Sequence, residues 1–190
     1  MFKIAVLISG GGSNLQSIID TISNSKVGYE ISCVIADRGC CGIEIAEKNN
    51  IETKVFNRKI LKKDISTKID KYLGDKVDLV VLAGFLSILD EDFINKRKGR
   101  IINIHPSLLP KFGGPGMFGM RIHRAVIEAK ESESGCTVHY VDAGIDTGEI
   151  IEQKKVKVEA DDTAETLQKK ILVEEHKLLP KAISKLMKNN

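Results

Sequence analysis

Asn103 and His105 lie two residues apart, directly after the short apolar run Arg100-Ile101-Ile102, which reads as a buried strand. Side chains alternate along a strand, so the amide and the imidazole face the same way. Pro106 and Pro110 follow and restrict the backbone around them. A donor amide beside an acid–base group on a stiffened loop suits stabilisation of an oxyanion as it develops. From spacing alone, a structured loop in which the two residues only satisfy backbone groups is an equal alternative.

Three other segments have the residue types for chemistry. Ser9-Gly10-Gly11-Gly12-Ser13-Asn14 joins a first strand to a first helix. Glycines let the backbone approach a ligand, and a helix N-terminus offers N–H groups and a positive dipole end, so a phosphate would sit well there. Gly10 and Gly12 fit GxG, but Leu15 stands where a dinucleotide fingerprint needs its third glycine, and no Gly-Lys-Ser/Thr makes it a P-loop. The missing glycine also weakens a reading of Asp37 as a ribose-binding acid. The plainer alternative is a tight turn capped by Ser13 or Asn14; phosphate binding is the better reading. The stretch from His139 to Gly148 ends a strand in a loop carrying Asp142 and Asp146. A carboxylate there would orient His105 and favour its charged form, though spacing does not say which one. For Asp142, turn capping or loop solvation is favoured. His139 divides evenly between a partly buried strand residue and a functional one. Residues 111–120 hold four glycines in ten and read as a mobile loop over a cleft or a plain connection. His105, His123, His139 and His176 have no compact metal-ligand spacing, so no metal is expected.

These loops need a frame. The chain has 190 residues, 42% hydrophobic and 29% charged, ordinary for a soluble globular protein; the length favours one domain, with two small ones as the alternative. A net charge of +3 and the absence of Trp argue neither for nucleic acid nor for a membrane surface. No apolar stretch approaches the ~18–20 residues of a membrane span. Residues 1–8 look briefly like a signal core, but they run into glycines without a cleavage pattern, and a buried first strand is the better reading. Cys33, Cys40, Cys41 and Cys136 form no CxxC; reduced thiols in a cytoplasmic protein are expected. Short apolar runs at 3–8, 30–36, 52–56, 78–83 and 101–104 alternate with helical patterns at 14–23, 43–49 and 64–73. That alternation predicts an α/β, Rossmann-like three-layer fold, with a mostly parallel central sheet and helices on both faces. A helix at 121–129, strands at 137–141 and 150–158, and a helix at 163–179 stopping near Pro180 complete it. The basic run 96–100 reads as a solvated helix end and turn.

Ile8-Ser9-Gly10-Gly11-Gly12-Ser13-Asn14-Leu15-Gln16, Leu82-Ala83-Gly84-Phe85, residues 103–110 and the Asp146 loop occur in the order seen in the folate-dependent phosphoribosylglycinamide formyltransferases of purine synthesis, which this chain resembles from about residue 3 to residue 180. The 103–110 stretch is similar across formyltetrahydrofolate enzymes; the serine–glycine start is more specific. The resemblance implies a single formyltransferase domain over 1–190, with a phosphate-binding half over about 1–100 and a folate and catalytic half over about 101–190. It implies that an amine attacks the formyl carbon of 10-formyltetrahydrofolate, a cosubstrate, without a metal. Asn103 and protonated His105 would stabilise the oxyanion, Asp146 would hold His105 charged, and His139 would support the loop. Gly12, Ser13 and Asn14 would bind the ribonucleotide phosphate, and Glu175 would contact the glycinamide end. Leu86, Ser87, Ile88, Leu89, Asn103, Val141 and the loop to Asp146 would line the folate pocket, with Lys63 contacting the folate tail. Leu109–Pro110 would be cis. The partners implied are small molecules, to a monomer or homodimer. Three positions depart from the family: Ser87 stands where many members carry Arg, Lys63 replaces a folate-contacting Arg, and Pro115 stands where related loops often carry Lys. Deformylases and methionyl-tRNA formyltransferases usually carry an additional domain, which is not expected beside a chain that reads as strand one to last helix. A non-catalytic phosphate sensor would not need Asn103, His105 and Asp146 together.

Overall fold

The computed structural model describes residues 1–188. The first strand, β1 (Phe2–Ile8), sends Ile4, Val6 and Ile8 into one hydrophobic core and Ala5 and Leu7 into another. A strand covered on both faces needs apolar residues at every position, which is why this segment is a continuous apolar run. Gly12 then turns the chain into α1 (Ser13–Asn24), which buries Leu15, Ile18 and Ile19 at helical spacing. The path runs outward through β2 (Tyr29–Ala36), α2 (Cys41–Lys48) and β3 (Thr53–Val55). A short helix α3 (Arg58–Leu61), a 3-10 turn (Lys62–Asp64) and α4 (Ile65–Leu73) bring it back to β4 (Leu79–Leu82). Then follow α5 (Glu91–Lys96), β5 (Ile101–His105), α6 (Met120–Glu128), β6 (Glu133–Tyr140), β7 (Ile150–Lys157) and α7 (Ala164–Lys188).

The seven strands form one sheet in the order β3-β2-β1-β4-β5-β6-β7. β3 to β5 run parallel; β6 and β7 are antiparallel. One core packs α1, α2, α6 and α7 against the sheet, and the other packs α4 and α5. This is the expected three-layer α/β arrangement with a mostly parallel sheet. The chain leaves β1 in one direction and returns to β4 on its other side, so a crevice opens at the carboxyl ends of these strands. The loops after β1, β4 and β5 all begin at that end. Among the described residues, no helix is long and apolar enough to cross a membrane.

Several local expectations are corrected. α3 and α5 span four and six residues, too short to show a helical period in the sequence. Asp90 nonetheless caps α5, its carboxylate accepting from the Phe93 N–H at 2.9 Å. β6 starts at Glu133 rather than 137, and β7 ends at Lys157. α7 does not stop near Pro180 but continues through it to Lys188. Pro180 costs about 3 kcal/mol in a helix interior. The continuation buries Ala182, Ile183 and Leu186, which offsets that cost. The basic run is not uniformly solvated: Lys96, Lys98 and Arg100 are exposed, but Arg97 is buried. Its guanidinium lies 4.8 Å from the centre of the Phe93 ring, donates to the Gly74 carbonyl at 2.9 Å and pairs with Asp70. Arg97 thus ties α5 to the end of α4.

Removing only one partner of that pair leaves a buried charge uncompensated. Asp70→Ala is expected to lower the unfolding free energy by about 3 kcal/mol. The double variant Asp70→Leu/Arg97→Met should lose less than about 1 kcal/mol, since an apolar pair can replace a buried ion pair. Denaturant unfolding checks both values, with unchanged slopes expected.

Candidate active site

A cavity of about 610 Å³ opens at the switch point of the sheet. Asn103, the third residue of β5, and His105, its last, both line it, as side-chain alternation predicts. They pair across β6 with His139 and Thr137 respectively. The His105 Nε2 lies 2.9 Å from the Phe112 carbonyl, so that nitrogen carries the hydrogen. Its Nδ1 lies 3.5 Å from Asp146 Oδ2. Each ring nitrogen therefore faces an acceptor, and a doubly protonated ring satisfies both.

His139 is held differently. Its Nδ1 donates to the Tyr140 carbonyl at 2.8 Å, leaving Nε2 to accept from the Asn103 amide at 3.1 Å. Burial keeps this ring below its ordinary histidine value, against the pull of the Tyr140 carbonyl and Asp146. Neutral His139 thus fixes the Asn103 amide, whose second N–H has no partner among the described residues. Nearby His123 is also buried, and burial, with a smaller contribution from His105, pushes it down to about 4.

The Asp146 carboxylate joins these groups to the glycine-rich loop. Oδ2, besides facing His105, accepts from the Gly114 N–H at 3.1 Å, and Oδ1 is 3.7 Å from His139 Nε2. Asp146 and Phe112 both hold left-handed backbone conformations, with φ 58° and 56°. Non-glycine residues adopt these at a cost, and they cluster where function demands a fixed geometry. Asp142, by contrast, caps its own turn: its Oδ1 accepts from the Gly144 N–H and the Thr147 hydroxyl.

At the other end of the cavity, α1 begins with no side-chain cap and no acidic residue in its first turn. The capped-turn alternative for Ser13 and Asn14 is therefore absent, and the first-turn N–H groups remain available to an anion. Gly12 has φ 78°, and a Cβ there would meet the Gly42 Cα at 2.7 Å, so only glycine fits. Asn14 Nδ2 donates to Glu175 Oε2 at 2.8 Å, bringing α7 to the glycine loop that precedes α1. Asn14 Oδ1 is buried without a partner. Burial pushes the Glu175 carboxyl up to about 7, only partly countered by Asn14.

Asn14, Leu86, Ser87, Ile88, Leu89, Asn103, His105, His139, Val141, Asp146 and Glu175 all border this one cavity. Gly12 and Ser13 lie beside its wall, of which Gly11 is part. Lys63 does not join them: it is exposed on the 3-10 turn and outside the lining. Sequence reasoning missed Thr137 and Gln153. The Thr137 hydroxyl donates to the Ser107 carbonyl at 2.6 Å and accepts from Leu109 N–H at 3.2 Å and Gln153 Nε2 at 2.9 Å. Gln153 also donates to the Leu109 carbonyl at 2.9 Å. Together they staple the segment that follows His105, where Leu109–Pro110 is cis as expected. The one available signal was position: Thr137 is two residues before His139 and shares its face.

The sequence profile described as "Formyl transferase" matches residues 2–183. The chain belongs to the formyl transferase family. It is 43% identical over 190 residues to the trifunctional purine biosynthetic protein adenosine-3 of Drosophila pseudoobscura pseudoobscura, covering 97% of this chain but 14% of that protein. It is 39% identical to the chloroplastic phosphoribosylglycinamide formyltransferase of Arabidopsis thaliana, covering 93% of this chain and 62% of that one. The chain thus spans less than two thirds of either relative. Among solved structures, glycinamide ribonucleotide transformylase 1 of Geobacillus kaustophilus superposes with a TM-score of 0.90 at 34% identity, covering 98% of both chains. This formyl transferase fold therefore extends over the whole described sheet.

Glu175 gives the site a pH signature. Its folded-state value, about 7, lies above its ordinary 4.5, so the folded state binds the proton more tightly. Stability falls as pH rises between those values, by about 3 kcal/mol in all, and is flat above. Unfolding free energies measured across this range should show that fall relative to Glu175→Gln, which lacks the titration.

Proposed function

We propose that the chain transfers the formyl group of 10-formyltetrahydrofolate to the glycinamide amine of 5-phosphoribosylglycinamide. The observation that carries this reading is the joint placement of Asn103, His105 and Asp146 in one cavity, with the uncapped start of α1 at its other end. Names carried by the Arabidopsis thaliana and Geobacillus kaustophilus relatives support the same substrate.

In this reading the phosphate binds the backbone N–H groups of Gly12, Ser13 and Asn14, and Glu175 meets the ribonucleotide beside Asn14. The pterin lies against Leu86, Ser87, Ile88, Leu89, Asn103 and Val141. Phosphate-loop residues thus come from about 1–100 and catalytic residues from about 101–190 of a single domain. The amine attacks the formyl carbon, and negative charge develops on the formyl oxygen. The free N–H of Asn103 and the His105 ring donate to that oxygen, while the Asp146 carboxylate balances the charge on His105. The amine loses a proton, and the folate N10 gains one as the carbon–nitrogen bond breaks; His105 and Asp146 are the groups placed to carry it. An amine needs little activation once neutral and positioned, so orientation and charge stabilisation are the main demands.

Following folate absorbance with and without the ribonucleotide tests this. Turnover only with the ribonucleotide is expected. Hydrolysis of the formyl group without it would instead mark a deformylase. His105→Ala and Asn103→Ala should each lower the turnover rate ~10²–10³-fold while retaining the folded circular dichroism spectrum. A rate near that of the unaltered protein in either variant would sink the assignment.

A further inference from the structure

His105, Thr137 and Gln153 stand in one cross-strand row. β5 pairs His105 with Thr137, and β6 pairs Thr137 with Gln153 on β7, the last strand of the sheet. Residues directly opposite one another in a sheet share a face, so these side chains project to the same side. Only His105 borders the cavity. Thr137 is completely buried, while Gln153 is exposed at the sheet edge.

An exposed carboxamide at a sheet edge would ordinarily be left to water. Here both hydrogens of Gln153 Nε2 are spent inward, on the Leu109 carbonyl and on the Thr137 hydroxyl, each at 2.9 Å. A carbonyl only accepts, so the amide nitrogen and not the amide oxygen must face Leu109. The Thr137 oxygen also accepts from the Leu109 N–H at 3.2 Å. Its single hydrogen is then directed to the Ser107 carbonyl at 2.6 Å. The Ser107 hydroxyl, also buried, donates to the Lys111 carbonyl at 2.7 Å. The orientation of one edge amide thus settles the Thr137 hydroxyl and, with it, the backbone at Ser107 and Leu109. That backbone leads from His105 to Phe112, whose carbonyl lies 2.9 Å from His105 Nε2. The ring is therefore held at both ends of a segment that Gln153 and Thr137 fix.

We infer that Gln153 is a positioning residue: it acts through Thr137 and Leu109 to set the ring of His105, which it does not touch. Neither Gln153 nor Thr137 belongs to the cavity lining, so neither meets a reacting atom. The expected effect on rate rests on the formyl-transfer reading given above; the expected effect on the ring does not.

Nitrogen-15 spectra of the histidine rings, together with turnover rates, test this. Gln153→Leu removes both donors, and Gln153→Glu keeps the shape but, once ionised, has no hydrogen to give. In each variant the His105 ring signals should move toward exchange between the two nitrogens, while those of His139, held by Tyr140, stay in place. Turnover should fall ~10-fold, with KM for either substrate within about twofold, because a reacting group is misplaced and no binding contact is lost. In the His105→Ala background the same substitutions should change the rate less than about twofold, since a residue acting only through His105 has nothing left to position. Unmoved His105 signals in Gln153→Leu would overturn the assignment, whatever the rate. A full rate in Gln153→Glu would also overturn it, as would an undiminished loss in the His105→Ala background, which would mark general damage to the fold. Displaced ring signals in a protein that transfers no formyl group would overturn the formyl-transfer reading and support the positioning of His105.

Discussion

The carboxylate of Asp146 is the contact on which the site depends. It faces His105 and the Gly114 N–H with one oxygen and His139 with the other. The strand-end imidazole and the glycine-rich loop therefore share one anion, and the ring that orients Asn103 stands beside it. That anion sits on a backbone held at φ 58°, so its position is set by the loop between β6 and β7 rather than by side-chain freedom. Any movement of the loop around Gly114 is felt at His105 through two contacts of the same oxygen.

The remaining structure makes that arrangement stiff. β5 and β6 place Asn103 opposite His139 and His105 opposite Thr137, so register alone brings the four residues together. Thr137 and Gln153 then occupy the backbone polar groups that follow His105. Across the crevice, the Ser9 hydroxyl accepts from the Leu86 N–H at 2.8 Å, tying the loop after β1 to the opposite wall. Dipoles fixed in this way need not reorganise as charge develops, which is the main source of electrostatic stabilisation in a closed site.

Much of this was legible in the sequence because it follows from local rules. Continuous apolar runs declared strands buried on both faces, and two-residue spacing placed Asn103 and His105 on one face. Gly12 signalled a turn that no other residue fits. What was not legible depends on neighbours distant in the chain. Arg97 reads as part of a solvated basic run, yet a pocket made by Phe93, Gly74 and Asp70 buries it. Pro180 reads as a stop, yet the apolar face beyond it keeps the helix going. Lys63 follows from the resemblance, yet it stands exposed on the 3-10 turn, outside the cavity lining. The two rings of His105 and His139 look alike in the sequence; their different hydrogen-bond partners separate a ring facing two acceptors from one held neutral.

Asp146→Asn tests the central claim most directly, because it keeps the shape and one acceptor oxygen while removing the charge. Single-turnover formyl transfer in this variant should slow by ~10²-fold or more, with the affinity for the proposed substrate phosphoribosylglycinamide unchanged within about twofold. A single-turnover rate close to that of the unaltered protein would contradict the account, since His105 and Asn103 would then need no shared anion.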